Sequence, residues 1–245
     1  MSAAAPAPVS AVVGCACTPV AIVCSALSHH FISFVSDFGD TAVTLPFAAI
    51  LALFLGGVQS PASSAKALRS LALCLGAMVL LKVAFITCGR HWDIGLVSPS
   101  GHAAISLTVY GMAAMVLASW TAGWWRMSLA VAAAALVAGI AVSRVLLGVH
   151  TVTEVVVGLL VGAAALWVFA ASYLWPAKPR PGRANLFFLG LALVVPLAAL
   201  HGERLPAERW VRQAAVMLRT NVGVCRALPA RSEIVGRPRP AVPSA

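Results

Sequence analysis

Apolar residues run almost unbroken through seven stretches of the chain, at approximately 11–35, 42–58, 68–88, 102–121, 127–149, 152–175 and 185–200, with short polar links between them. Runs of roughly 16 to 25 residues are long enough, as helices, to cross or nearly cross a hydrocarbon slab of about 30 Å. In lipid only helices and closed barrels satisfy their own backbone, and runs this continuous lack the alternation of a barrel strand. The pattern therefore predicts an all-α polytopic transmembrane helix bundle. Two segments are less regular: Pro19 interrupts the first, with His29 and His30 near its end, and Pro196 interrupts the seventh, which either crosses or dips in and returns.

Composition narrows the picture. Apolar residues make up 61% of the 245 and charged residues only 10%, against a usual charged share of about 25%, which excludes a soluble globule. The net charge of +10 invites a nucleic-acid reading, but eight of the basic residues follow His201 and the others sit mostly between apolar runs. Membrane topology accounts for them better, and no nucleic-acid partner is expected. Six cysteines, Cys15, Cys17, Cys24, Cys74, Cys88 and Cys225, form no CxxC pair and fall mostly inside apolar stretches, so packing is their expected role and no metal site is expected. Residues 1–10 lack the basic start of a secretory leader and are expected to be a disordered terminus with nothing cleaved. VVGC at Val12 to Cys15 has the outline of a lipoprotein cleavage box but no basic leader ahead of it.

The expected organisation is residues 1–10 as terminus, 11–200 as the transmembrane domain and 201–245 as a basic tail. If the first segment spans, Lys66, Arg69, Arg126, Lys178, Arg180 and Arg183 all come to one side, which the positive-inside rule makes the cytoplasm. Trp120, Trp124, Trp125 and Trp175 at segment ends fit headgroup-level anchors. In the tail, Trp210, Val211, Ala214, Ala215, Met217 and Leu218 form an apolar helical face opposite Arg209, Arg212 and Arg219. Such a short amphipathic helix suits an anionic lipid surface or packing on the bundle.

An ionisable side chain inside a span costs about 2.5 to 3.5 kcal/mol on insertion scales, so each is a site candidate. Lys82, His102, Arg144, His150 and Glu154 all come to the same membrane face, together with the Ser36 to Asp40 turn and the Gly89 to Ser100 connection. Ser98-Pro99-Ser100-Gly101-His102 enters an apolar run with Ser100 as a good N-cap and Gly101 open to close approach. Free amides and the positive helix end then make an anion site, although a cap with an incidental His is the default reading of this stretch alone. Farther on, Glu154 lies one helical turn from His150, where a carboxylate fixes the imidazole tautomer and leaves the other nitrogen as nucleophile or base. Arg144 supplies a guanidinium fork for phosphate oxygens, the plainer alternative being an Arg144–Glu154 ion pair. Asp37 and Asp40 read as capping or turn residues. His91, Trp92 and Asp93 lie over the expected pocket, within reach of a headgroup.

These residues resemble the type 2 phosphatidic acid phosphatase superfamily, with signatures KxxxxxxRP, PSGH and SRxxxxxHxxxD. Pro99, Ser100, Gly101 and His102 match the second in full; Ser143, Arg144 and His150 match the third, with Glu154 in place of Asp. The first is degraded, since Arg90 follows Lys82 one residue late and His91 stands where Pro is expected. The resemblance implies a six-span core over about 11–175, with the seventh hydrophobic segment beyond it, in a bacterial inner membrane with the active site on the periplasmic face. It implies metal-independent, cofactor-free hydrolysis of a phosphorylated lipid or polyprenyl diphosphate through a phosphohistidine. His150, His102 and Glu154 would be catalytic, and Lys82, Arg90, Ser100, Gly101 and Arg144 would bind phosphate. Membrane lipids are the expected partners. A phosphotransferase and a non-catalytic lipid-phosphate binder or transporter are the alternatives.

Overall fold

Every predicted apolar run that falls within residues 29–92, 98–173, 181–202, 211 and 213–217, the residues this computed structural model describes, is helical, and no strand occurs among them. The helices are α1 (29–37), α2 (Thr41–Val58), α3 (Pro61–Trp92), α4 (Gly101–Ala118), α5 (Trp124–Leu146), α6 (Val152–Tyr173) and α7 (Arg183–Leu200). Residues 11–28 of the first expected span lie outside the described ones. Five stretches are long and apolar enough to cross a membrane: His29–Val58, Pro61–Thr87, Gly101–Ala118, Trp124–Leu146 and Val152–Tyr173. The first of these contains both α1 and α2, divided by a turn at 38–40.

Most boundaries follow the hydropathy pattern within a few residues, but α3 does not. It begins at Pro61 rather than 68 and continues to Trp92 rather than 88. Pro61 suits the first helical position, and the Ser60 hydroxyl accepts the Ser63 amide at 3.2 Å, so the helix starts where a cap is available rather than where hydrophobicity rises. Its 32 residues span about 48 Å at 1.5 Å each, longer than a hydrocarbon slab of about 30 Å. The connection to α4 is correspondingly shorter than the Gly89 to Ser100 link expected from hydropathy.

The hydrophobic core gathers Leu51 and Leu55 of α2, Cys74 and Met78 of α3, Val109 and Met112 of α4, and Phe169 and Tyr173 of α6. Helix α4 is the central element, packing against α2, α3, α5 and α6. Its approach to α6 depends on small residues: a Cβ at Gly158 would run into the Ser100 carbonyl, and one at Gly162 would sit 2.5 Å from the Ala104 carbonyl. Close backbone approach of this kind is how membrane helices gain packing without a hydrophobic driving force between them. Across helices, Ser70 donates to the Ala165 carbonyl at 2.7 Å and Gln59 donates to the Tyr173 hydroxyl at 2.8 Å. The Gly158 contact and the Ser100 amide bond to the Glu154 carbonyl at 3.0 Å fix the start of α4 against the first turns of α6.

Alternation of the helices sorts the ionisable residues. The starts of α2, α4 and α6 and the ends of α3 and α5 form one polar end. Lys66 and Arg69 in the first turns of α3, Arg126 in the first turn of α5 and Arg183 opening α7 stand at the other. Helix α7 packs on α2, and His201 just past it returns to α1, with Nε2 3.1 Å from the Phe34 carbonyl and its ring 4.3 Å from that of Phe34. The chain beyond α7 therefore emerges at the polar end.

Candidate active site

Two helix starts and one helix end build the site. At α6, Thr151 and Glu154 form a capping box: the Thr151 hydroxyl accepts the Glu154 amide at 3.3 Å, and Glu154 Oε2 accepts the Thr151 amide at 3.1 Å. That same Oε2 lies 3.0 Å from His150 Nδ1, while Oε1 accepts the Ser98 amide at 2.9 Å. The Glu154 carbonyl also takes the Ser100 amide at 3.0 Å. Glu154, 5% exposed, thus joins the nucleophile candidate to the segment that opens α4. At α4 the Ser100 side chain accepts the Ala103 amide at 3.5 Å, so its fully buried hydroxyl faces the helix start it caps.

The end of α5 sets the spacing between Arg144 and His150. Gly148 turns left-handed at φ +66°, its amide bonding the Val145 carbonyl at 2.9 Å, and the Val149 amide bonds the Arg144 carbonyl at 3.2 Å. This is the paired bond pattern of a Schellman ending, and it folds the chain back so that the His150 amide also reaches the Arg144 carbonyl at 3.2 Å. Arg144 Nη1 donates to the Ser36 hydroxyl at 2.9 Å. Ser143 is buried and donates to the Ile140 carbonyl of its own helix at 2.7 Å, which leaves it a packing residue.

A cavity of about 130 Å³ opens beside these helix ends. Asp40, Thr41, Lys82, Gly101 and His102 form its polar part, and Leu75, Met78, Val79 and Ile105 an apolar wall that Val211 of the tail helps to close. The buried Lys82 has its Cε 3.8 Å from where a Cβ on Gly101 would sit, which places the lysine beside the start of α4. His102 Nε2 lies 3.5 Å from Asp40 Oδ2. Arg144 and His150 do not line this cavity but fall within electrostatic range of His102. A larger cavity of about 230 Å³ among α4, α5 and α6 is lined only by apolar residues, Leu107, Met115, Val137 and Leu166 with glycine and alanines, and carries no chemistry.

Of the residues expected from sequence, Lys82, Gly101 and His102 share one cavity, and His150 and Glu154 are hydrogen-bonded. The side chains of Arg90, His91 and Trp92, and Asp93 entirely, lie outside the described residues. Glu154 serves His150, Thr151 and Ser98, and Arg144 reaches Ser36. The Ser36 to Asp40 turn is expected on this membrane face, with Asp40 in a capping or turn role. Asp40 does cap α2, accepting the Ala42 amide at 2.9 Å, yet it also faces His102. The signal available in the sequence was two acids and a serine in one turn on the site's own membrane face. Among the described residues, no group of three or more His, Cys, Asp or Glu is arranged to hold a metal ion.

Comparison with known proteins gives two matches. The family model described as the PAP2 superfamily matches residues 93–178. An uncharacterized 22.5 kDa protein in the cps region of Klebsiella pneumoniae is 30% identical over 190 residues, covering 74% of this chain and 88% of that protein. No solved structure matches.

Proposed function

Since the chain belongs to the PAP2 superfamily, we propose that it is an integral membrane phosphatase removing phosphate from a lipid phosphate or polyprenyl diphosphate through a phosphohistidine, without a metal ion. His150 Nε2 attacks phosphorus in line, forming a P–N bond as the P–O bond to the leaving group breaks. Glu154, bonded to Nδ1 at 3.0 Å, holds the tautomer that exposes Nε2 and stabilises the imidazolium that develops. His102 gives a proton to the departing oxygen. It then takes one from water as the water oxygen bonds to phosphorus and the P–N bond breaks, returning His150 and releasing phosphate. Lys82, Arg144, Arg90, the Ser100 hydroxyl and the Gly101 and His102 amides would meet the equatorial oxygens, whose charge a phosphoryl-transfer site must stabilise.

The observation that carries this reading is the His150–Glu154 pair, tied through Ser98 and Ser100 to the helix start that bears His102. A binder needs cations but no oriented imidazole. An amphiphilic substrate is supported by the cavity, whose Lys82 and His102 end continues into Leu75, Met78 and Val79, with Val79 45% exposed toward the bundle exterior. A six-span core with α7 as a seventh crossing accords with the alternation of helix ends. A periplasmic site in a bacterial inner membrane accords with Lys66, Arg69, Arg126 and Arg183 at the opposite end.

The deciding experiment is phosphate release by purified protein from a panel of phosphatidic acid, phosphatidylglycerol phosphate, polyprenyl diphosphate and a lipid A phosphate, in chelator, with His150→Ala in parallel. Turnover of at least one substrate that His150→Ala abolishes is the expected result. Wild-type turnover by His150→Ala would overturn the mechanism, and phosphate passed to an added acceptor rather than water would make the protein a phosphotransferase.

A further inference from the structure

The turn at 38–40 with Ser36 before it lies outside all three signatures and outside the family-matched residues 93–178, yet it is built into the site. The Tyr110 hydroxyl donates to the Phe38 carbonyl at 2.7 Å, and Arg144 Nη1 reaches Ser36. A Cβ on Gly39 would come within 2.6 Å of Ile140 Cγ2, 3.1 Å of Ser106 Oγ and 3.3 Å of His102 Cβ, so only glycine lets the turn lie this close to α4 and α5. Asp40 follows directly, 7% exposed, with Oδ1 accepting the Ala42 amide at 2.9 Å and Oδ2 directed at His102 Nε2, 3.5 Å away.

Capping alone does not account for that arrangement. One oxygen suffices for a cap, and Asn or Ser serves as well as Asp. A buried carboxylate carries a desolvation cost that either neutral residue avoids. The second oxygen, aimed at an imidazole, is what the carboxylate adds.

We propose that Asp40 is the positioning residue of His102, holding the Nε2–H tautomer so that Nδ1 is the nitrogen that exchanges a proton with the leaving group and with water. The inference rests on the reading of His102 as general acid. As the P–O bond breaks, the proton on Nδ1 passes to the departing oxygen while Nε2–H stays with Asp40. The neutral ring then accepts a proton on Nδ1 from the attacking water. The two histidines are thus held by carboxylates at opposite nitrogens, His150 through Nδ1 and His102 through Nε2. Lys82, Arg144 and His150 are the other charged or titratable groups around His102.

The test uses the full chain in detergent with two substrates, dodecyl phosphate, whose alkoxide needs a proton to leave, and p-nitrophenyl phosphate, whose phenolate does not. Asp40→Asn and Asp40→Ser keep a capping side chain, so both retain the α2 start. General-acid assistance is typically worth about 10² to 10⁴ in rate, and losing its orientation should lower kcat/KM, which reports only the steps through departure of the leaving group, by about 30-fold or more for dodecyl phosphate and by no more than about 3-fold for p-nitrophenyl phosphate. An equal loss on both substrates, or no loss on either, overturns the role of Asp40. His150→Ala separates the two ideas: it should remove both activities, and if it leaves both, the phosphohistidine reading fails rather than the assignment of Asp40.

Discussion

Glu154 Oε2 stands 3.0 Å from His150 Nδ1 while the other oxygen of the same carboxylate holds the Ser98 amide at 2.9 Å. One side chain therefore fixes the ring and the segment leading into α4.

Replacing Glu154 by Gln keeps the size but removes the negative charge and leaves one acceptor oxygen where His150, Thr151 and Ser98 use two. Loss of the correct tautomer in a comparable hydrogen-bonded pair costs about 10⁴ in rate, and a fall of kcat by about 10²-fold or more is expected here. Glu154→Asp keeps the charge and should retain more activity than Gln. Steady-state phosphate release by the two variants checks this, and a Gln variant at wild-type kcat would refute the orienting role.

His102 enters twice in the proposed cycle, on the leaving group and on water. His102→Ala should therefore slow both halves, and with a substrate bearing a good leaving group the second becomes limiting. Brief incubation with ³²P-labelled p-nitrophenyl phosphate should leave label on the His102→Ala protein, stable to base and labile to acid as a phosphoramidate is. The label should vanish in the double variant with His150→Ala. Label that persists without His150 would place the nucleophile elsewhere.

Arg144 is held by Ser36 through Nη1 at 2.9 Å, which aims a planar fork that lysine cannot reproduce. Arg144→Lys should lower kcat/KM by roughly 10- to 150-fold, the equivalent of a hydrogen bond to a charged group of about 1.5 to 3 kcal/mol. Ser36→Ala should cost less, since the guanidinium remains. Measuring kcat/KM for both, with thermal unfolding to establish that the bundle is intact, tests the ranking; equal activity of Arg144→Lys and wild type would exclude a fork-dependent role.

Much of this architecture was legible because lipid makes the rules strict. Hydropathy placed α2, α4, α5, α6 and α7 within a few residues, since an apolar run that must satisfy its backbone has only the helix available. It misjudged α3 because Ser60-Pro61 starts a helix and Gly89 to Trp92 do not stop one, and neither fact is a matter of hydrophobicity. Of the site, His150 with Glu154 was readable from a spacing of four at a helix start. The Asp40–His102 approach was not, because it depends on a turn distant in sequence being pressed against α4, a contact that no periodicity encodes. The side of the tail is equally hidden in the sequence, because it is set by His201 lying against Phe34 and Val211 against the Lys82 cavity.

The contact between α4 and α6 couples fold to chemistry, and Gly158 is where the coupling can be measured. Its added Cβ would meet the Ser100 carbonyl, a backbone atom that cannot rotate away, so α4 and α6 must separate at their N-terminal turns. Those turns carry the Ser100 amide to Glu154 carbonyl bond at 3.0 Å and hence the relative placing of His102 and His150. Gly158→Ala should cost about 1 to 3 kcal/mol in stability, as overpacking does, and should lower kcat as well. Gly76 of α3, where a Cβ would meet nothing within 4 Å, is the matched control; alanine there should be neutral or stabilising by up to about 1 kcal/mol through helix propensity, with activity unchanged. Thermal unfolding in detergent with phosphate release on the same samples reads both quantities. If Gly158→Ala and Gly76→Ala behave alike, the glycine contact does not position the site, and the register between the two histidines is held by other elements.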